Sequence, residues 1–163
     1  MFKWCAITAL AAGLPVLFAQ PPRSGPQLAS FHSSVDDSQQ PYALYLPANL
    51  DSARKYPLLI SLHQEDSNAR INLMRVFGEI NRFADGTLTP LHFFRPVRNV
   101  DFIVASPQAR GTMGYQGIAE RDIYDLLADL ERRFPVDEDR VYLTGISMGG
   151  AGALRLALTR PDV

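Results

Sequence analysis

Gly145-Ile146-Ser147-Met148-Gly149 is the stretch of this chain whose residue types and spacing point most directly to bond-making chemistry. The β-branched and apolar run Val141, Tyr142, Leu143, Thr144 precedes it, and Gly150, Gly152 and a helical pattern follow. A serine placed between a strand and a helix on a very sharp turn is lifted clear of the sheet, with the free amide N–H groups of the helix start around its hydroxyl. Gly145 and Gly149 are expected to flank it because a side chain at either place would collide across the turn. Such a hydroxyl is a nucleophile only when a neighbouring base takes its proton, and the tetrahedral oxyanion it forms needs waiting donors. Two donors can be proposed: the backbone N–H of Met148, and one from the loop after Leu62, contributed by Gln64 or Glu65.

The elements that must position Ser147 follow from the pattern of the chain. Tyr42–Leu46 reads as an early, partly exposed strand, Pro57–Leu62 as a strand buried on both faces, and Asp101–Ser106 as a second buried strand. Asn68–Phe83 places apolar residues at spacings of three and four, which predicts a helix. Leu88–Arg98 reads as an irregular connection carrying His92, Phe93 and Phe94, a cover for the core or a wall for a substrate. Gln108–Gly117 reads as a flexible loop. Ala119–Phe134 is the clearest helix, with the stripe Ile123, Leu126, Leu127, Leu130 and Phe134, acids at its start and Arg132, Arg133 at its end. Those charges read as a solvated face, and Asp137–Arg140 as a turn. Strand and helix alternate as in an α/β layer with a mostly parallel sheet, where ligands gather outside the carboxyl ends of the strands.

The start of the chain carries Lys3, the apolar stretch Trp4–Phe18 and a small residue, Ala19. This is the pattern of an export signal over residues 1–19, and the stretch is shorter than the roughly 20 residues that a membrane span needs. The mature protein is expected to be periplasmic or extracellular, with no stable membrane span. The single cysteine, Cys5, falls inside that segment, so neither disulfides nor thiol chemistry are expected of the rest. Residues 20–40, rich in Pro, Ser, Gln and Asp, read as a flexible lead-in, with His32 as a solvated side chain. A formal net charge of −1 gives no reason to expect nucleic acid as a partner. No pair of histidines or carboxylates shows ligand spacing near a pocket, so neither a metal nor a cofactor is expected.

Asp-Arg-Val-Tyr-Leu-Thr-Gly-Ile-Ser-Met-Gly-Gly, with Leu62-His63 after an apolar strand, resembles the α/β-hydrolase superfamily. More narrowly it is similar to secreted esterases related to polyhydroxybutyrate depolymerases and feruloyl esterases, and to the hydrolase domains of prolyl-oligopeptidase-like proteins. The resemblance covers residues 41–163, the amino-terminal part of such a domain. It implies Ser147 as nucleophile, Met148 as an oxyanion donor, the His63 loop as the source of the second, and a structural role for His63. The family usually has glycine after that histidine, where this chain has Gln64.

The triad order in this fold is Ser, Asp or Glu, His. All three histidines here (His32, His63, His92) precede Ser147, and the only acid after it is Asp162. The expectation is therefore an amino-terminal piece of a hydrolase truncated after the nucleophile helix, with the triad acid and histidine beyond Val163 and a bare, apolar sheet edge beside the strand leading to Ser147. The leading function is hydrolysis of small or polymeric carboxylic esters through an acyl-enzyme. The alternatives are a prolyl-oligopeptidase-like serine peptidase, and a catalytically incompetent fragment or non-catalytic binding module.

Overall fold

A computed structural model describes residues 23–82, 87–90 and 97–161. The segment read as an export signal, Cys5, Asp162 and the trio His92, Phe93, Phe94 lie outside the described residues.

Among the described residues, seven strands and three helices follow the order β1 (Gly25–His32), β2 (Gln39–Leu46), β3 (Tyr56–Leu62), α1 (Ala69–Val76), β4 (Ile80–Arg82), β5 (Leu88–Pro90), β6 (Ile103–Pro107), α2 (Ile118–Arg133), β7 (Val136–Gly145) and α3 (Met148–Thr159). Five strands form one sheet in the order β1-β2-β6-β3-β7, and β4 and β5 form a separate hairpin. The half of the sheet that leads to Ser147 is parallel: β3 pairs with β6 on one side and with β7 on the other. β1 and β2 complete the other half antiparallel. With β3 in register at Ile60↔Leu143 and Leu62↔Gly145, the ends of β3 and β7 reach the same rim.

Leu58, Ile60 and Leu62 are almost wholly buried, each side chain contributing about 1.5–3 kcal/mol by leaving water. They join Tyr42, Leu44 and Leu46 under α2, whose Ile123, Leu126, Leu127, Leu130 and Phe134 form the expected stripe, and under Leu156 of α3. The opposite face of β2 carries Ala43 and Tyr45 against Ala69, Leu73 and Phe77 of α1. Thus β2 is buried on both faces, not partly exposed, because α1 and α2 cover it from opposite sides.

Four other expectations need correction. Residues 25–32 of the expected lead-in form strand β1, paired with β2 from Gly25↔Leu46 to His32↔Gln39. Its alternation is faint because Phe31 is the one large apolar residue pointing inward, and Pro26 is tolerated because the strand lies at the sheet edge. The helix from Asn68 stops near Val76 instead of reaching Phe83. Gly78, at φ 73°, takes the left-handed conformation, while its N–H bonds the Arg75 carbonyl and the Glu79 N–H bonds that of Met74. These are the two bonds of a Schellman stop. The connection after it contains the β4–β5 hairpin. Asp137–Arg140 is an irregularity within β7, where pairing jumps from Tyr56↔Val136 to Leu58↔Val141.

The start of α2 is not a purely solvated face. Asp122 is buried and accepts from Ser33 Oγ at 2.6 Å and Arg110 Nε at 2.6 Å, while Arg110 also grips Asp36 at 2.6 Å. That pairing holds the Asp36 carboxyl well below the usual carboxylate range. Asp129 is also buried and accepts from Arg133 at 2.8 Å and from Arg132. Arg110 therefore ties the β1–β2 turn and the loop after β6 to α2. Among the described residues β7 ends the sheet order, with its own Tyr142 exposed and Leu154 and Leu158 exposed on α3. No helix among the described residues is long and apolar enough to cross a membrane.

Replacing Arg110 leaves a buried carboxylate without its cation. Arg110→Ala is expected to cost about 3 kcal/mol in a urea melt, whereas Asp36→Asn, at an exposed partner, is expected to cost much less. Equal losses in the two variants contradict this assignment.

Candidate active site

Ser147 sits between β7 and α3 with φ 51° and ψ −119°, a backbone conformation that an L-residue occupies only under strain. The cause is on either side of it. A Cβ on Gly145 would overlap the carbonyl of Gly149, and a Cβ on Gly149 would overlap the carbonyl of Leu62 at the end of β3. The chain therefore turns from strand to helix in backbone contact with itself and with β3, as the glycine spacing predicts. The turn is closed by Gly149 N–H to Ile146 O at 2.9 Å and Ala151 N–H to Ser147 O at 2.9 Å. Ser147 is exposed. Met148 opens α3, and among the described residues no acceptor is paired with its N–H.

The neighbouring loop is fixed by a buried imidazole. His63 is fully buried, with Nδ1 2.7 Å from the Gln64 carbonyl and Nε2 2.9 Å from the Gln108 carbonyl. Neither ring nitrogen is left to face Ser147, which agrees with a structural role. The Tyr115 hydroxyl donates to the His63 carbonyl at 3.1 Å, and its ring meets the imidazole edge-on with centroids 6.0 Å apart. Burial pushes the Tyr115 hydroxyl pKa up, so it stays a donor. On its other side Tyr115 fills the space over Gly152, where an added Cβ would lie 2.5 Å from the ring. Gln108 also uses its side chain, accepting the Ala69 N–H at the start of α1 at 3.0 Å.

These contacts revise two readings. The Gln108–Gly117 loop is not a flexible stretch: Gln108, Arg110 and Tyr115 pin it to the site, to α2 and to the β1–β2 turn. Its pinning residues carry no motif, and only their contacts reveal them. The second revision concerns Gln64. The His63 carbonyl oxygen faces α3, 2.8 Å from where a Gly149 Cβ would stand. In a trans peptide the following N–H points the opposite way, and no described peptide is cis. The Gln64 N–H is thus turned away from α3. The Gln64 carbonyl is turned onto the His63 ring, so the Glu65 N–H points away from that ring.

His32 lies at the carboxyl end of β1, 3.3 Å from Asp37 and half exposed. Four strand positions separate β1 from β7, a distance of about 19 Å at 4.8 Å per strand, so His32 does not serve Ser147. Among the described residues no group of three or more His, Cys, Asp or Glu side chains could hold a metal ion.

A strained, exposed serine on a glycine-walled turn, at the carboxyl rim of a parallel strand pair, is the geometry against which known proteins can be compared. The Esterase family matches residues 33–163. The chain belongs to the Esterase family. Solved structures share its fold. A ferulic acid esterase superimposes with a TM-score of 0.60 at 21% identity over 86% of this chain and 57% of its own. An S-formylglutathione hydrolase from Agrobacterium tumefaciens gives 0.58 at 19% identity over 84% and 54%. A fluorophosphonate-binding serine hydrolase from Staphylococcus aureus gives 0.59 at 20% identity over 86% and 54%. The fold of this esterase-family chain is thus that of an α/β-hydrolase, and the chain spans about half the length of these matches.

The strain at residue 147 is measurable. Ser147→Gly is expected to stabilise the fold by about 1 kcal/mol, the relief of a strained conformation less the entropy of a freer unfolded chain. Ser147→Ala keeps the strain and is expected to leave stability unchanged. A thermal melt in which the glycine variant is the less stable of the two contradicts the conformation described.

Proposed function

We propose that Ser147 is the nucleophile of a hydrolase acting on carboxylic esters through an acyl-enzyme. The observation that carries this reading is the serine's strained, exposed place between β7 and α3. The family match supports it, as do neighbours described as a ferulic acid esterase and an S-formylglutathione hydrolase.

In this reading the Ser147 hydroxyl gives its proton to an imidazole while its oxygen bonds to the ester carbonyl carbon. The carbonyl electron pair moves onto oxygen, where the N–H groups of Met148 and Glu65 receive it. That pair returns, the C–O bond to the alcohol breaks, and the imidazolium protonates the leaving alkoxide. Water then releases the acid by the same route. Of these parts the chain itself supplies the nucleophile, the two donors, and the positive end of α3 towards the developing charge. His63 is engaged elsewhere and His32 is remote, so neither is assigned as the imidazole base. The Lys3 to Ala19 pattern supports action outside the cytoplasm.

The test is labelling of the whole protein with a fluorophosphonate probe, beside hydrolysis of short-acyl and hydroxycinnamoyl esters. Labelling and turnover are expected to vanish together in Ser147→Ala, the loss of turnover being at least 10³-fold. Label retained in that variant refutes the assignment of the nucleophile, and a protein that neither labels nor turns over any ester is the non-catalytic alternative.

A further inference from the structure

We propose that Arg75 is a positioning residue for the oxyanion donor of the His63 loop, acting through the side chain of Gln64. The inference rests on the reading of Ser147 as nucleophile and of the Glu65 N–H as donor.

Arg75 stands in the last turn of α1. Its Nη1 donates to Gln64 Oε1 at 2.9 Å. Its Nε and Nη2 are buried and, among the described residues, have no acceptor. Burial without compensation pulls the guanidinium below the usual arginine range. Among the described residues Gln64 Oε1 is the guanidinium's one partner, and a charge-assisted bond of this kind is stronger than a neutral one. The acceptor belongs to the residue whose carbonyl also meets His63 Nδ1 at 2.7 Å. Gln64 is therefore held twice, by its side chain to α1 and by its carbonyl to the buried imidazole. These two holds fix the plane of the peptide joining Gln64 to Glu65, and with it the direction of the Glu65 N–H. Gln64 does not occupy the left-handed region, so a side chain costs nothing in backbone strain here and supplies a handle that glycine lacks.

An oxyanion donor contributes only when aimed at the charge that develops during reaction, so loosening it slows turnover without weakening ground-state binding. The experiment is a double-mutant cycle in the whole protein with Arg75→Met, Gln64→Ala and the pair, following ester hydrolysis and inhibition by a trifluoromethyl ketone, a mimic of the tetrahedral adduct. Each single variant is expected to lower kcat about 10-fold, with KM within about twofold and inhibitor affinity falling in step with kcat. The pair is expected to be no slower than either single variant, because both changes remove one contact. Arg75→Lys, which keeps a charged donor, is expected to recover part of the loss. Unchanged kcat in Gln64→Ala, a loss confined to KM, or effects that multiply to about 100-fold in the pair each overturn the proposal. Should Arg75→Met not fold, Gln64→Ala alone decides by the same kcat, KM and inhibitor readings. Activity surviving in Ser147→Ala instead removes the nucleophile reading, a separate failure visible before the cycle begins.

Discussion

Backbone contact without side chains, where the start of α3 crosses the end of β3, is the constraint on which the rest of this structure depends. Gly149 lies against the carbonyls of Leu62 and His63, and Gly145 against the carbonyl of Gly149. No other residue type fits in either gap. Such proximity leaves residue 147 one way through the corner, with φ positive and the side chain outward. Strain at a single residue, of order 1–3 kcal/mol, is tolerable because two buried strand pairings and the core under α2 hold its surroundings.

A second layer of polar contacts turns that corner into a site. His63 meets Gln108 between the ends of β3 and β6, Tyr115 bonds the His63 carbonyl and packs its ring on Gly152 of α3, and Asn72 of α1 reaches Ser61 and Ser106 from the other face. Each of these groups costs free energy when buried unpaired, so each bond also acts against alternative loop arrangements. The His63 carbonyl shows the economy of the plan. One oxygen packs on Gly149, accepts from Tyr115, and by facing α3 turns the next N–H away from it.

Much of this is legible in the sequence, and the gaps have physical causes. The parallel strands can be read because burial on both faces demands apolar runs such as Leu58–Ile60 and Ile103–Ala105. The corner at Ser147 can be read because steric exclusion leaves only glycine at Gly145 and Gly149. The stripe of α2 can be read because one helical face packs on one sheet. β1 is hidden because an edge strand needs little apolar surface, and Phe31 alone marks its buried side. The end of α1 is hidden because Phe77, Ile80 and Phe83 continue the helical spacing while Gly78 stops the backbone. The orientation of the Gln64 peptide is beyond any pattern, since it follows from contacts to His63 and Arg75 that lie one and eleven residues away. Arg110 and Asp122 look like surface charge in the sequence and are instead a buried tie.

The most direct test of the central claim is a crystal structure of the whole protein after reaction with a phosphonate. The account predicts a bond from phosphorus to Ser147 Oγ, residue 147 still at positive φ, and the phosphoryl oxygen about 2.7–3.1 Å from the backbone nitrogens of Met148 and Glu65. A relaxed, negative φ at residue 147, or a phosphoryl oxygen turned away from both nitrogens, contradicts it.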